Sequence, residues 1–110
     1  MYMDNEQSLF LKVFGSNPKL KVMDFLIVSI DLDYSMKEIA EKSGVGYSTL
    51  KLFWKDMVKN RIVMPTRTIG NAKLFKINTN NPVVKEFHGF YWKITKVIAK
   101  QKKAKKILLA

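Results

Sequence analysis

Apolar residues along the chain fall into segments whose spacing is helical, then alternating, then helical again. Leu9 to Phe14 is a short apolar run closed by Gly15-Ser16-Asn17-Pro18. Its periodicity fits strand or helix, and it is read as a brief helix packed beneath the domain. Asn17-Pro18 sets an N-cap residue beside a proline, whose missing N–H costs nothing in the first turn of a helix. Leu20, Met23, Leu26 or Ile27, and Ile30 then recur at helical spacing. They predict a helix with a buried face, closed by Asp31-Leu32-Asp33.

Ser35-Met36-Lys37-Glu38 matches a capping box, in which the serine hydroxyl and the glutamate carboxylate each satisfy an orphan backbone N–H. The helix it opens is expected to run from Met36 to about Lys42, with Ile39 and Ala40 inward, the small Ala40 allowing a close helix approach. Gly44 suits a left-handed residue after that helix, Val45 a plug between helices, and Gly46 the next N-cap. On the helix that follows, Leu50, Phe53, Trp54 and Met57 share one face, and Ser48, Lys51, Lys55 and Lys59 share the other. Leu52 falls between the faces; packing is its expected role, and contact with a thymine methyl the alternative. Two short helices joined by a glycine-containing turn are how a probe helix is held toward the major groove. Tyr47, Ser48 and Thr49 occupy its first turn, where free amides and the helix dipole favour phosphate.

Alternation replaces helical spacing in "IVMPTRTIGNAKLFKIN". Glycine first in the loop Gly70-Asn71 predicts a type II′ hairpin, with Ile69 opposite Ala72, Arg67 opposite Leu74 and Met64 opposite Ile77. Met64, Phe75 and Ile77 would then be buried, and Pro65 demands an edge strand. Arg67, Thr68, Asn71 and Lys73 gather near the tip. Asn80-Asn81-Pro82 opens the last helix, in which Val83, Phe87, Phe90, Ile94, Val97 and Gln101 trace a heptad seam widened by Val84, Tyr91 and Ile98. Val83, Phe87, Phe90, Tyr91, Ile94, Val97 and Ile98 are the expected contacts of a homodimer. The end, "KQKKAKKILLA", is expected to fray.

Charge changes the picture by its position. Residues 1–58 carry a net charge of −1 and residues 59–110 a net charge of +12. Such a basic half suits a polyanion, either nucleic acid or an anionic membrane surface. Cysteine is absent, and His88 stands without neighbouring cysteines or an acidic cluster, so neither metal site nor cofactor is expected. Asp31, Asp33, Glu38 and Glu41 form the dense acidic group, with no general acid–base pair or activated nucleophile, so enzyme activity is not expected. Trp54, Phe53 and Met57 read as core rather than as an effector pocket, and no small-molecule ligand is identifiable. The polar, acidic opening "MYMDNEQS" is unlike a signal peptide, and no apolar run approaches a membrane span, so a cytoplasmic location is expected.

Ser35 to Asn78 closely resembles winged helix-turn-helix transcription regulators of the broad ArsR/MarR type, and their archaeal versions in particular. The resemblance rests on Glu38-Ile39-Ala40, on Gly44-Val45 and Gly46, and on Ser48-Thr49 with Leu50. Arg61-Ile62-Val63 stands where the pattern has glycine and two aliphatics, so either Asn60 is left-handed or Arg61 bears roughly 1 kcal/mol of strain. The resemblance implies a mostly helical α+β fold with a winged helix-turn-helix domain, expected over residues 1–80, and the heptad seam makes residues 81–110 the expected dimerisation helix with a basic tail. The resemblance implies a regulator of double-stranded DNA, with a recognition helix at about 47–59 and a wing at about 62–78, and the seam makes it a homodimer. Ser35, Tyr47, Ser48, Thr49, Lys51, Lys55, Lys59, Arg67, Thr68, Asn71 and Lys73 are the expected DNA contacts. A replication or plasmid-maintenance factor of similar build, and a peripheral membrane adaptor using the basic last helix, are the alternatives.

Overall fold

Short polar side chains decide where the helices begin. In a computed structural model, which describes residues 7–109, Ser8 Oγ accepts from the Leu11 amide at 3.1 Å and starts α1 (Leu9–Phe14). Asn17 Oδ1 accepts from the Leu20 amide at 2.9 Å and starts α2 (Pro18–Val28). The capping box opens α3 (Met36–Ser43), the Glu38 amide donating to Ser35 Oγ at 3.2 Å and the Ser35 amide to Glu38 Oε1 at 2.9 Å. Asn81 Oδ1 accepts from the Val83 amide at 2.8 Å at the head of α5 (Pro82–Leu109). Of the polar opening segment, residues 1–6 lie outside the described residues, as do the side chains of Lys105 and Lys106 in the basic tail. The backbone of that tail continues α5 as helix rather than fraying.

One apolar cluster joins all the helices and the sheet. It takes Phe10 and Leu11 from α1, Val22, Phe25, Leu26 and Ile27 from α2, and Ile39 and Ala40 from α3. Leu50, Trp54 and Met57 come from α4 (Tyr47–Lys59), and Val84 and Tyr91 from α5. The buried stripe of α2 therefore differs from expectation: Leu20, Met23 and Ile30 are only half-buried, and the helix stops at Val28. Helices pack on several sides of α2, so burial spreads around it and no narrow stripe marks its sequence.

The sheet has the order β1-β3-β2, with β1 (Tyr34–Ser35), β2 (Val63–Ile69) and β3 (Ala72–Ile77). The two-residue β1 was not expected, because so short a segment carries no periodic signal; it pairs Tyr34 with Phe75 and Ser35 with Leu74. At the hairpin tip the register is as predicted, with Ile69 opposite Ala72 and Arg67 opposite Leu74. Gly70 has φ 61°, and Asn71 is not left-handed, as a type II′ loop requires. At the base the register slips by one: Val63, not Met64, lies opposite Ile77. A bulge between Pro65 and Arg67 inserts Thr66, and one extra residue exchanges the two faces of a strand. Val63 is consequently buried and Met64 exposed.

The seam expected on α5 divides in two. Val84, Tyr91 and Ile98, seven residues apart, are buried within the chain itself, which withdraws Tyr91 and Ile98 from any surface a second subunit could reach. Tyr91 is 2% exposed, its ring 4.8 Å from that of Phe10 and tilted 33° to it. The neighbouring column Val83, Phe90 and Val97 remains 65%, 44% and 48% exposed, while Phe87 and Ile94 are half-buried. Phe90 lies edge-on to Phe10 and Phe14 of α1 at 5.9 and 5.5 Å. The short first helix is thus an aromatic wedge along α5.

A carboxylate sits inside this packing. Asp24 on α2 is fully buried, and its Oδ1 accepts both from Ser8 Oγ at 2.7 Å and from Tyr91 Oη at 2.6 Å. The cap of α1, the middle of α2 and the face of α5 thereby meet at one oxygen. Burial raises the Asp24 pKa to about 6, against the opposing pull of the tyrosine hydrogen bond, and burial together with Asp24 raises Tyr91 as well. Because the folded state holds this proton more tightly than the unfolded chain, the associated stability is full below about pH 4 and is lost as pH rises through about 6. From the size of the shift, the loss is on the order of 3 kcal/mol. Asp24→Asn keeps an acceptor for Ser8 and Tyr91 without the charge, so its stability relative to the parent should improve by about that amount between pH 4 and pH 7. Urea denaturation of both proteins at the two pH values measures this, and parallel pH profiles would refute it.

Candidate nucleic-acid interface

The direction of α4 is set at both of its ends. After α3, Gly44 is left-handed, with φ 73° and ψ 30°, and the Val45 and Gly44 amides close back onto Ala40 O at 2.9 Å and Glu41 O at 3.2 Å. That pairing is a Schellman turn, and Val45 is buried just beyond it. A second turn of the same kind ends α4, where Ile62 N donates to Met57 O at 2.9 Å and Arg61 N to Val58 O at 3.0 Å. Here the left-handed residue is Arg61, with φ 57°, rather than Asn60. Its carbonyl accepts from Asn78 Nδ2 at 3.0 Å and Asn81 Nδ2 at 2.9 Å, which holds the strained residue in place.

The two helices of the motif differ at their N-termini. Those of α3 are closed by Ser35 and Glu38, whereas Gly46 starts α4 without any side-chain cap. The first amides of α4 are left without an acceptor from a cap, beside the positive end of the helix dipole. Ser48, Lys51, Lys55 and Lys59 lie on its exposed face, and Thr49 is half-buried. Lys51 Nζ stands 4.7 Å from the centroid of the Tyr47 ring, a cation–π contact that draws the two side chains together over the first turn. Leu52 was expected to pack, but it is 82% exposed. On a helix with 100° per residue it points away from Leu50 and Met57, onto the polar face at the edge of the lysine row, between Lys59 and Asp56.

The hairpin is tied to the body by an acidic residue expected only to close the second helix. Asp33, next to β1, accepts from Arg67 Nε at 3.0 Å and Nη2 at 3.1 Å, and from Thr66 Oγ1 at 2.6 Å. The bulge residue and the expected wing arginine thus share one carboxylate, and no local pattern links positions so far apart in sequence. A cleft of about 590 Å³ opens between the first turn of α4, the start of α3 and the hairpin tip. Ser35, Tyr47, Asn71 and Lys73 line it with Lys37 and Ile69, so the fold brings four of the expected contacts together. Lys51, Lys55 and Lys59 continue along α4, and Thr68 is exposed on β2. Among the described residues no group of His, Cys, Asp and Glu could hold a metal ion, and no helix is long and apolar enough to cross a membrane.

No family model matches the sequence, and no curated protein matches it. Solved structures do share its fold. A double mutant of Lactococcus lactis ZitR in its apo form aligns with a TM-score of 0.63 over 94% of this chain and 83% of that one, at 17% identity. The adhesin competence repressor AdcR of Streptococcus pyogenes aligns with a TM-score of 0.60 over 88% and 74%, at 12% identity. Sso10a-2, a DNA-binding protein from Sulfolobus solfataricus, aligns with a TM-score of 0.53 over 86% and 98%, at 14% identity. The architecture they share with this chain is the winged helix-turn-helix, mostly helical with a small antiparallel sheet.

The Asp33 clamp makes a local prediction. Its hydrogen bonds from Arg67 and Thr66 lower the carboxyl pKa to about 2, so the clamp is present above the ordinary carboxylate range and is released only as pH falls through about 2. Asp33→Ala should speed hydrogen exchange of the β2 amides around Arg67 and Thr68, while amides of α2 and α4 keep their protection. The difference should be the same at pH 4 as at pH 7. Unchanged exchange in β2 would mean that the ladder alone holds the hairpin.

Proposed function

We propose that this chain is a homodimeric, sequence-specific double-stranded DNA-binding protein that acts as a transcription regulator. The observation that carries the reading is the outward face of α4. It presents Ser48, Lys51, Lys55 and Lys59 beside an uncapped N-terminus, across a cleft from the hairpin tip. A helix of this kind fits the major groove, with its first turn against a phosphate and its lysines over the groove walls and floor. The hairpin, with Thr68, Asn71 and Lys73 exposed, rests on the backbone or the adjacent minor groove. Arg67, oriented by Asp33, is a bracing residue there. The repressor AdcR and the DNA-binding protein Sso10a-2, both of the same fold, support the reading.

Two subunits would meet along α5. With Val84, Tyr91 and Ile98 turned inward, the column Val83, Phe90 and Val97 and its half-buried neighbours Phe87 and Ile94 keep the spacing of a two-helix seam. The exposed lysines of α5, including Lys102 and Lys103, add attraction to DNA that does not depend on sequence.

Each lysine that settles on a phosphate releases condensed counterion, so binding of duplex DNA should weaken steeply with salt. For two subunits the slope of log K against log salt should exceed about 5 in magnitude. Fluorescence anisotropy over a salt series reads the slope directly; a flat dependence, or no affinity at low salt, would remove the central reading. The seam has its own test. Val83→Glu with Val97→Glu touches only exposed positions, and should turn a dimer into a folded monomer in sedimentation equilibrium. A parent protein that is already monomeric at tens of micromolar would count against assembly through α5.

A further inference from the structure

We propose that Leu52 is a specificity-determining residue that reads the 5-methyl group of thymine in the major groove; this deepens, and rests on, the DNA-binding reading above. A lone exposed leucine is ordinary on a protein surface. Leu52 differs in where it lies: at 82% exposure, within a face otherwise made of Ser48, Lys51, Lys55, Asp56 and Lys59. Its packing contribution to the fold is small at that exposure. Helix propensity does not require it either, since lysine or glutamine serve almost as well and hydrate better.

A fully exposed apolar side chain at the edge of a row of lysines is favoured where the surface it meets sets an apolar group beside an anionic wall. A major groove has that form, with phosphates along its walls and, on its floor, the thymine methyl as the apolar group among donors and acceptors. The lysines, all to one side of Leu52, match a phosphate wall, and the leucine matches the methyl. Asp56 bears on which side of the helix meets the backbone. Its carboxylate is repelled by phosphate, so the wall is met on the opposite side of Leu52, where Lys51, Lys55 and Lys59 lie. The cation–π pairing of Lys51 with Tyr47 draws that ammonium back over the first turn.

The test removes a single methyl group from the DNA. A site is selected from random duplexes with the parent protein, then resynthesised with deoxyuridine in place of each thymidine in turn. One position per half-site should lose about threefold to fivefold in affinity, which is what burial of one methyl group is worth. Leu52→Ala should bind the thymine and uracil forms equally, and its exposure makes the substitution harmless to the fold, as circular dichroism would verify. A selected site without thymine, uniform tolerance of uracil, or a Leu52→Ala variant that still distinguishes the two bases would each overturn the assignment while leaving DNA binding intact. Failure of the parent to bind any duplex at low salt would overturn both readings together.

Discussion

Between α3 and α4 the chain must reverse its course within Gly44-Val45-Gly46, and everything the protein presents outward depends on that turn. The turn has little latitude. Gly44 occupies a left-handed conformation that a side chain would strain, its amide and that of Val45 are committed to the end of α3, and Val45 is sealed into the core. Behind it, Ala40 is small enough for α4 to approach, and Leu50, Trp54 and Met57 fill the space opposite. The lysine face is therefore directed by packing on the other side of the same helix. The strained Arg61, gripped by Asn78 and Asn81, does for the far end of α4 what Gly44 does for the near end.

The buried carboxylate of Asp24 plays a different part. A charged group without solvent and with one oxygen unpartnered is a cost to the fold, so its value lies in position rather than in stability. By collecting Ser8 and Tyr91 on a single oxygen it sets the rotation of α5 about its own axis relative to α2. Rotation decides which apolar column of α5 faces inward. With Tyr91 pinned, Val84 and Ile98 follow it into the chain, and Val83, Phe90 and Val97 face away. Whatever meets that outward column meets it at an angle to α4 that the core has already chosen.

Local chemistry was legible in the sequence, and long-range chemistry was not. The caps at Asn17, Ser35 and Asn81, the glycine turn, the extent of α4 and the type II′ tip are dictated by residues a few positions apart. Those expectations hold to within a residue or two. Failures came where the deciding contact is distant. Thr66 bulges where it does with its hydroxyl on Asp33, and the resulting slip exchanged Met64 for Val63 in the core. Tyr91 was assigned to a partner because a heptad stripe cannot say which of its columns the chain covers with its own first helix. Leu52 was placed in the packing because leucine ordinarily belongs there, although its helical spacing from Leu50 and Met57 already turns it outward. Within the candidate site the basic residues could be named from the sequence, but not the clamp that joins Arg67 to Asp33.

The bulge at Thr66 also bears on how the protein stays apart from its own kind. β2 is an outer strand, and an unpaired row of amides and carbonyls invites another chain to extend the sheet. Here the invitation is withdrawn twice in adjacent residues: Pro65 has no amide to offer, and the bulge beside it twists the strand out of register with any straight partner. The hairpin can be long, exposed and rich in β-formers without seeding aggregation, and a small basic protein can be concentrated without its wings joining into a continuous sheet.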